Sequence, residues 1–167
     1  RVVVAMSGGV DSSVAAALLV EQGYDVIGMM MRLWSEETAN GYVHNRCCTP
    51  EQMDDARRIA DKIGIPFYVL DSKDYFRSTI VEYFIDQHRQ GFTPNPCLEC
   101  NRHVRFEWLL NTALSLDAQY LATGHYAQIG RDAAGRYTLI KGVDEAKDQS
   151  YVLSVLNQEK LSRAMFP

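Results

Sequence analysis

The sequence predicts an α/β fold built on a doubly wound parallel sheet. Short runs rich in β-branched and aliphatic residues recur at 2–6, 25–31, 66–70 and 119–123, and helical patterns separate them. Runs of this length are typical of buried parallel strands, and alternation of strand and helix is typical of right-handed crossover connections. Because the 167 residues are 47% hydrophobic, they suffice for one well-packed domain, which we expect to span 1–167.

Apolar residues at helical spacing predict the helices between these strands. The predicted ranges are 12–22, 50–63, 73–89 and 101–116. Gly23 and Gly64 follow the first two ranges and are typical helix ends. Thr49 and Pro50 are a favourable pair for the N-cap and the first helical position. The second helix therefore carries clear signals at both ends.

The chain after the fourth strand departs from this alternation. Residues 126–141 predict a small β-hairpin with a polar turn around Asp132 and Gly135. Helical spacing then returns over 148–166. We therefore expect a hairpin near the C-terminal end of the chain, followed by a helix.

Composition and charge exclude several classes of protein. The net charge of -4 gives no basic footprint of nucleic-acid binding, so we expect no DNA partner, and any RNA contact must be local. No run approaches the roughly 20 apolar residues of a membrane span, and the start lacks a signal-peptide pattern. We therefore expect a cytoplasmic protein with no membrane partner. In a reducing compartment, an adjacent cysteine pair and a CxxC indicate chemistry or metal binding.

A glycine-rich loop, SGGVDSS at 7–13, joins the first strand to the first helix. Ligands of open α/β sheets lie at the carboxyl ends of strands, where a helix N-terminus offers unpaired N–H groups and positive potential. The glycines allow a tight turn and the serines add hydroxyl donors, so a phosphate is the predicted ligand. The loop has neither the GxxxxGK[ST] nor the GxGxxG pattern. The predicted nucleotide contacts are Ser7, Gly8, Gly9, Val10, Asp11, Ser12 and Ser13.

This loop resembles the SGGxDS pyrophosphate loop (PP-loop) of ATP pyrophosphatases, which cut ATP between its α- and β-phosphates. The resemblance implies a Rossmann-like adenine nucleotide alpha hydrolase fold. It also implies ATP and Mg²⁺, with a catalytic role for Asp11 in placing the metal ion. GMP synthetase, NAD synthetase and argininosuccinate synthetase share this loop, so it leaves the substrate open.

Further motifs select one family among these enzymes. They are GFTPNPCLECNRHVRF at 91–106, ATGHYA at 122–127, KDQSYVL at 147–153, GMMMRLW at 28–34 and the step Cys47-Cys48. Together they resemble the tRNA-specific 2-thiouridylase family, MnmA, from Val2 to Pro167. The resemblance implies that ATP adenylates the C2 oxygen of the wobble uridine in tRNA, and that a persulfide sulfur then displaces AMP. It also implies a longer protein, whose later β domains and persulfide-carrying cysteine lie outside these residues.

The CxxC motif carries the sulfur chemistry that the resemblance implies. Cys100 matches the family's nucleophilic cysteine, and a helix N-terminal edge beside Arg102 would favour its thiolate. At the position of Cys97, many members of the family carry an aspartate, to which the resemblance assigns contact with the target base. Cys97 therefore either replaces that carboxylate as a weak base or redox partner, or joins Cys100 as a metal ligand of a [4Fe–4S] cluster. Such a cluster needs a further cysteine, from Cys47, Cys48 or outside these residues.

The resemblance assigns further binding residues. Met31 and Gly124 match positions that pack around the adenosine. The residues expected at the tRNA or its target base are Asn95, Pro96, Cys97, His125, Lys147, Asp148 and Gln149. Basic residues expected to contact tRNA phosphates are Arg102, Arg105 and Lys147. The implied partners are tRNA and a persulfide sulfur-donor protein.

Two alternatives stay open. Another enzyme with the same loop, such as an amidoligase of the GMP synthetase type, gives no reason for the TPNPCLEC segment. A non-catalytic nucleotide-binding or RNA-binding module could keep the loop without the chemistry. The intact Ser7, Asp11 and cysteines argue against that second alternative.

Overall fold

The computed structural model describes residues 1–33 and 49–167, and its centre is a five-stranded parallel sheet. The strands are β1 (Val2–Ala5), β2 (Val26–Arg32), β3 (Phe67–Asp71), β4 (Tyr120–Ala122), β5 (Ala127–Arg131), β6 (Tyr137–Lys141) and β7 (Ala164–Met165). The sheet has the order β3-β2-β1-β4-β7, and β5 and β6 form a separate antiparallel hairpin. The predicted doubly wound α/β fold with a small hairpin is confirmed.

Helices cover both faces of this sheet. They are α1 (Val10–Glu21), α2 (Pro50–Ile63), α3 (Lys73–Phe76, Arg77–Val81 and Glu82–Arg89, run together), α4 (Pro96–Glu99, Cys100–Leu109 and Leu110–Ser115, run together), α5 (Ser150–Leu153) and α6 (Gln158–Arg163). The middle parts of α3 and α4 have π-helical hydrogen bonding. Thr49 caps α2 by accepting a hydrogen bond from the Gln52 N–H, as its sequence predicts.

Alternate residues of the buried strands supply two cores, one on each face of the sheet. Val3 and Met29 join one core with Phe106 of α4. Val4 belongs to the other core, with Leu19 of α1. This alternation follows from the two-residue period of a strand. Both faces of β1 are therefore sealed from water, which fixes the position of the loop that follows it.

The strand order reverses at β1, and this reversal positions the site. β1 pairs with β2 on one side and with β4 on the other, all in parallel. The loops that leave the carboxyl ends of β1 and β4 therefore lie side by side. In doubly wound folds this crevice is where ligands bind.

The helix predicted at 101–116 begins earlier, at Pro96. The Asn95 side chain accepts a hydrogen bond from the Cys97 N–H at 3.0 Å, and Pro96 occupies the first helical position. An asparagine N-cap followed by proline is a strong start signal, which the prediction overlooked. Cys100 therefore lies one turn inside the helix rather than at its edge.

The single helix predicted over 148–166 is also wrong. It is divided into α5 and α6, because the Asn157 side chain accepts a hydrogen bond from the Lys160 N–H at 2.9 Å and starts a new helix. The chain then forms β7, which pairs in parallel with β4. The apolar pair Ala164 and Met165 gains strand hydrogen bonds that a frayed helix end would lack.

Some expectations fall outside the described residues. Trp34 of the GMMMRLW motif and the pair Cys47 and Cys48 belong to 34–48. Over 1–33 and 49–167, no helix has the length and apolar character needed to cross a bilayer.

Candidate active site

Hydrogen bonds among its own serines fix the loop between β1 and α1. The Ser12 Oγ accepts from the Ser7 N–H at 3.1 Å and also lies 3.2 Å from the Gly9 carbonyl oxygen. The Ser13 Oγ donates to the same carbonyl at 2.8 Å. No side chain of the described residues caps α1 at Gly9. The N–H groups of the first turn therefore remain available to an anion.

Two glycines allow neighbouring backbone segments to approach the loop closely. Gly8 has φ of +77°, and a Cβ there would lie 2.2 Å from the carbonyl oxygen of Gln52 in α2. A Cβ at Gly124, just after β4, would lie 2.7 Å from backbone atoms of Asp11 and Ser12. The missing side chains therefore bring α2 and the β4 loop against the start of α1.

Asp11 projects from the first turn of α1 into a cavity of about 170 Å³ that Ser7 and Ser12 also line. Its Oδ1 accepts a hydrogen bond from the Tyr126 hydroxyl at 2.8 Å. This hydrogen bond and the Asp11 charge raise the pKa of Tyr126 above its usual value. Mg²⁺ is often held by one or two carboxylates together with substrate phosphates, so this position suits a metal-bound nucleotide.

A polar network crosses the crevice from α4 to the β4 loop. Arg105 donates to the Asn101 Oδ1 at 2.7 Å, and its Nη1 lies 3.4 Å from the Nε2 of His125. The Nδ1 of His125 lies 2.7 Å from the Thr123 Oγ1, while Asn101 donates to the carbonyl oxygen of Val152 at 3.1 Å. The network assigns His125 the Nδ1–H tautomer, because Nε2 accepts from Arg105.

A second, larger cleft of about 510 Å³ connects the loop with the CxxC motif. Ser7, Met31, Cys97 and Cys100 all line it. Cys97 is exposed and Cys100 is partly buried. Residues three apart on a helix lie on one face, with Cβ atoms about 5–6 Å apart, so both thiols face the same space. The structure thus brings the predicted nucleotide loop and both predicted cysteines to one cleft.

Charged neighbours of Cys100 on α4 are paired with one another. Glu99 contacts Arg102 at 3.3 Å and His103 at 3.3 Å. Because Glu99 offsets Arg102, and because Cys100 lies inside the helix, the positive potential expected from the sequence is reduced at this thiol.

One family model covers the whole chain. The model described as tRNA methyl transferase HUP domain matches residues 1–167. The chain belongs to this HUP-domain family. The motifs indicated the tRNA-specific 2-thiouridylase family. This resemblance is confirmed, because curated relatives of the chain bear that family's name.

Two curated relatives show how similar these proteins are. The chain is 53% identical over 167 residues to the tRNA-specific 2-thiouridylase MnmA of Heliobacterium modesticaldum, covering 99% of this chain and 43% of that protein. It is 54% identical over 171 residues to the protein of the same name from Natranaerobius thermophilus, covering 100% of this chain and 46% of that protein. The chain therefore spans under half the length of these relatives.

A solved structure supports the fold of this HUP-domain chain. The predicted subunit of tRNA methyltransferase from Methanocaldococcus jannaschii superposes with a TM-score of 0.52 at 17% identity. The match covers 99% of this chain and 66% of that one. At this level of identity, it supports the architecture alone.

The structure separates the three residues of the KDQ segment expected at tRNA. The Lys147 Nζ lies 5.3 Å from the centroid of the Tyr126 ring, beside Asp11. The Asp148 carboxylate accepts from the Gly142 N–H at 2.7 Å and from the Ser150 hydroxyl at 2.8 Å, so it fixes its own loop. These hydrogen bonds, the one from Gly142 first, lower the pKa of Asp148. Lys147 is thus the exposed member of the three, whereas Asp148 and Gln149 are half-buried.

The other predicted residues lie around the cleft in this HUP-domain chain. The Gln149 Oε1 accepts from the Tyr126 N–H at 3.1 Å and Gln149 lines both the small cavity and the cleft. Pro96 lines the cleft, whereas Asn95 acts as the cap of α4. Within 1–33 and 49–167, no group of three or more His, Cys, Asp or Glu could hold a metal ion. A cluster at Cys97 and Cys100 therefore lacks a further ligand there.

Sequence reasoning missed Asn101 and Thr123 as parts of the site. Asn101 is 1% exposed and Thr123 is 3% exposed; the Asn101 amide reaches the Val152 carbonyl oxygen 51 residues away, and the Thr123 hydroxyl contacts the nearby His125 ring. Buried polar side chains within a helix and after a strand are weak signals of function. Only the family motifs around these two residues could have indicated them.

Removing His125 is expected to make the domain less sensitive to mild acid. Burial, and then the nearby Arg105 charge, lower the pKa of His125 from 6.5 to about 3. Between these values the unfolded chain binds a proton that the folded chain excludes, so stability is lost as the pH falls below 6.5. From pH 7 to pH 5, we expect the wild type to lose about 1–2 kcal/mol more than His125→Gln.

Urea denaturation at several pH values measures this difference. Carboxylate titrations contribute equally to both proteins and cancel. His88→Gln, at an exposed position, is the matched control and should follow the wild type. Parallel curves for the wild type and His125→Gln would show that His125 titrates normally in the folded state.

Proposed function

We propose that this chain is the catalytic domain of an ATP-dependent tRNA 2-thiouridylase. The observation that carries the proposal is the single cleft lined by both the PP-loop residue Ser7 and the thiols of Cys97 and Cys100. Relatives named tRNA-specific 2-thiouridylase, at more than 50% identity, support it. The proposed partners are tRNA and a persulfide sulfur-donor protein, and the proposed compartment is the cytoplasm.

In the first step, the C2 oxygen of the wobble uridine attacks the α-phosphorus of ATP and pyrophosphate leaves. The uridine N3 loses its proton to a base or to water in this step and regains one when the thiocarbonyl forms. The N–H groups at the start of α1 and the hydroxyl of Ser7 hold the phosphates. Asp11 is the residue that would hold Mg²⁺, which when bound would neutralise the charge of the pyrophosphate leaving group. Gly9 leaves room for the phosphates, Gly8 lets the loop pack closely against α2, and Met31 and Gly124 flank the adenosine.

In the second step, sulfur replaces the activated oxygen. The terminal sulfur of a cysteine persulfide bonds to C2, and AMP leaves with the original oxygen. The Cys100 thiolate then attacks the inner sulfur, which forms a disulfide with the carrier cysteine and releases the C2 sulfur as the thiocarbonyl. The disulfide must be reduced before another turnover. The resemblance places the carrier cysteine outside residues 1–167.

The target base is proposed to enter the cleft unstacked. A uridine in an anticodon loop is single-stranded, so extruding it costs little. Cys97 is exposed at the cleft and replaces the carboxylate common in the family, as a weak base or redox partner. His125 stays neutral beside Arg105, and Gln149 lies on the same wall. Lys147 is placed to meet a tRNA phosphate.

A [4Fe–4S] cluster is the alternative role for Cys97 and Cys100. It would need a third cysteine from outside the described residues. Iron and sulfide analysis of the anaerobically purified full-length protein, beside Cys97→Ala, tests it. Stoichiometric iron that disappears with Cys97 favours the cluster, and iron-free protein that still thiolates tRNA favours the persulfide role.

The function is tested on the full-length protein with tRNA, ATP, Mg²⁺ and a persulfide donor. We expect 2-thiouridine by mass spectrometry, with pyrophosphate released in equal amount and only when ATP is present. Because the family model is described as a methyl transferase, a parallel assay supplies a methyl donor. Methylated tRNA without thiolation would overturn the proposal, and ATP-dependent consumption of ammonia would favour the amidoligase alternative.

A further inference from the structure

We propose that Arg105 supplies the positive charge that the lysine-free PP-loop lacks, by binding a phosphate of the nucleotide. The sequence predicts a tRNA phosphate contact at this residue, but the structure places it beside the loop. The inference rests on the proposed function in so far as ATP is the nucleotide bound there. Arg105 lies in α4, more than 90 residues after the PP-loop at 7–13 in the sequence.

The position of Arg105 relates it to the phosphate loop. It lines the 170 Å³ cavity together with Ser7, Asp11 and Ser12, and it also lines the larger cleft. A phosphate held by the first N–H groups of α1 would therefore share its cavity with a guanidinium. Arginine can bind two phosphate oxygens at once through parallel N–H groups.

The charge of Arg105 has no carboxylate partner among the described residues. The ion pairs of this part of the chain involve other basic side chains. Its contacts are the neutral amide of Asn101 and the neutral ring of His125. Asp11 lines the same cavity, but its Oδ1 accepts from Tyr126 and it suits the metal ion. A partly buried cation without an anion is costly, and a bound phosphate would offset that cost.

Asn101 holds the guanidinium in place before any ligand arrives. Its side chain is 1% exposed, its amide donates to the Val152 carbonyl oxygen at 3.1 Å, and its Oδ1 faces Arg105 at 2.7 Å. This contact occupies Nη1, which is also the atom nearest to His125. The remaining N–H groups of the fork can therefore face the cavity. A donor that is already oriented loses little entropy on binding.

Calorimetric titration of the full-length protein with inorganic pyrophosphate and with Mg-ATP tests the assignment. We expect Arg105→Gln to weaken both affinities by about 10–100-fold, because a charge-assisted hydrogen bond is lost. Arg105→Lys keeps the charge but loses the two parallel N–H groups, so its affinities should fall between those of the wild type and Arg105→Gln. Arg89→Gln, at an exposed end of α3, is the matched control and should bind as the wild type does.

Each other outcome is decisive. Unchanged pyrophosphate affinity in Arg105→Gln overturns the inference, as does a wild type that binds neither pyrophosphate nor ATP. If Arg105→Gln binds nucleotide normally but binds tRNA more weakly, the inference is overturned and Arg105 contacts a tRNA phosphate, as the sequence predicts. If Arg105→Gln fails to fold, Arg105→Met, which keeps a long side chain without the charge, replaces it in the same titrations, and unchanged pyrophosphate affinity in that variant overturns the inference. Arg105-dependent nucleotide binding without thiolation would overturn the proposed function and leave this inference standing.

Discussion

Replacing Cys100 with serine in the full-length protein is expected to lower formation of 2-thiouridine by about a thousand-fold or more, while ATP-dependent release of pyrophosphate continues. Removal of a nucleophile commonly costs this much. A thiolate attacks sulfur readily and a serine hydroxyl does not, yet the two side chains have similar size. Because Cys100 does not line the small cavity formed by Ser7, Asp11 and Ser12, where the phosphates are proposed to bind, the adenylation step should survive.

Single-turnover assays with labelled ATP and tRNA separate the two steps. Cys97→Ser is the matched control, since Cys97 lies one helical turn away and lines the same cleft. As a weak base or redox partner, Cys97 should affect the rate far less than Cys100. Full thiolation by Cys100→Ser would contradict the role of nucleophile, and loss of pyrophosphate release in that variant would place Cys100 in the adenylation step.

Gly8→Ala is expected to destabilise the domain by about 3 kcal/mol or more and to abolish nucleotide binding at the loop. Alanine at φ of +77° is strained by about 1–2 kcal/mol. Its Cβ would also lie 2.2 Å from the Gln52 carbonyl oxygen, so α2 or the loop must move. A displaced loop would no longer present its N–H groups to a phosphate.

Gly9→Ala provides the comparison at the next residue. Gly9 has φ of -85°, and a Cβ there would have only the Ser7 Oγ nearby, at 3.4 Å. Its free energy of unfolding in urea should therefore fall by about 1 kcal/mol at most. Equal losses in the two variants would show that flexibility of the loop, and not contact with α2, decides the effect.

The sequence predicted those parts of the fold whose signals are local. The first four strands of the parallel sheet and α2 were predicted because apolar runs, glycine stops and a threonine cap act within a few residues. β7 was not predicted, because two residues, Ala164 and Met165, carry no periodicity and become a strand only by pairing with β4. Long-range pairing thus decides elements that are too short to have a pattern.

The same distinction applies to the candidate site. The loop serines and both cysteines could be chosen from motifs, whereas the contacts that orient them could not. Arg105 meets His125 across 20 residues, and Asn101 meets Val152 across 51. Such contacts depend on how α4 is placed against the β4 loop, and local sequence does not encode that placement.

The pairing of β1 with β4 has a consequence for the order of events during folding. The Tyr126 hydroxyl reaches Asp11 across 115 residues, and Gly124 packs on the backbone of the same turn. Closing a loop of that length is entropically costly, and contacts between distant residues form slowly. A chain emerging from the ribosome would therefore contain the complete phosphate loop long before the opposite wall of its cavity exists. Acquisition of nucleotide binding would then report the docking of β4, a late step of folding.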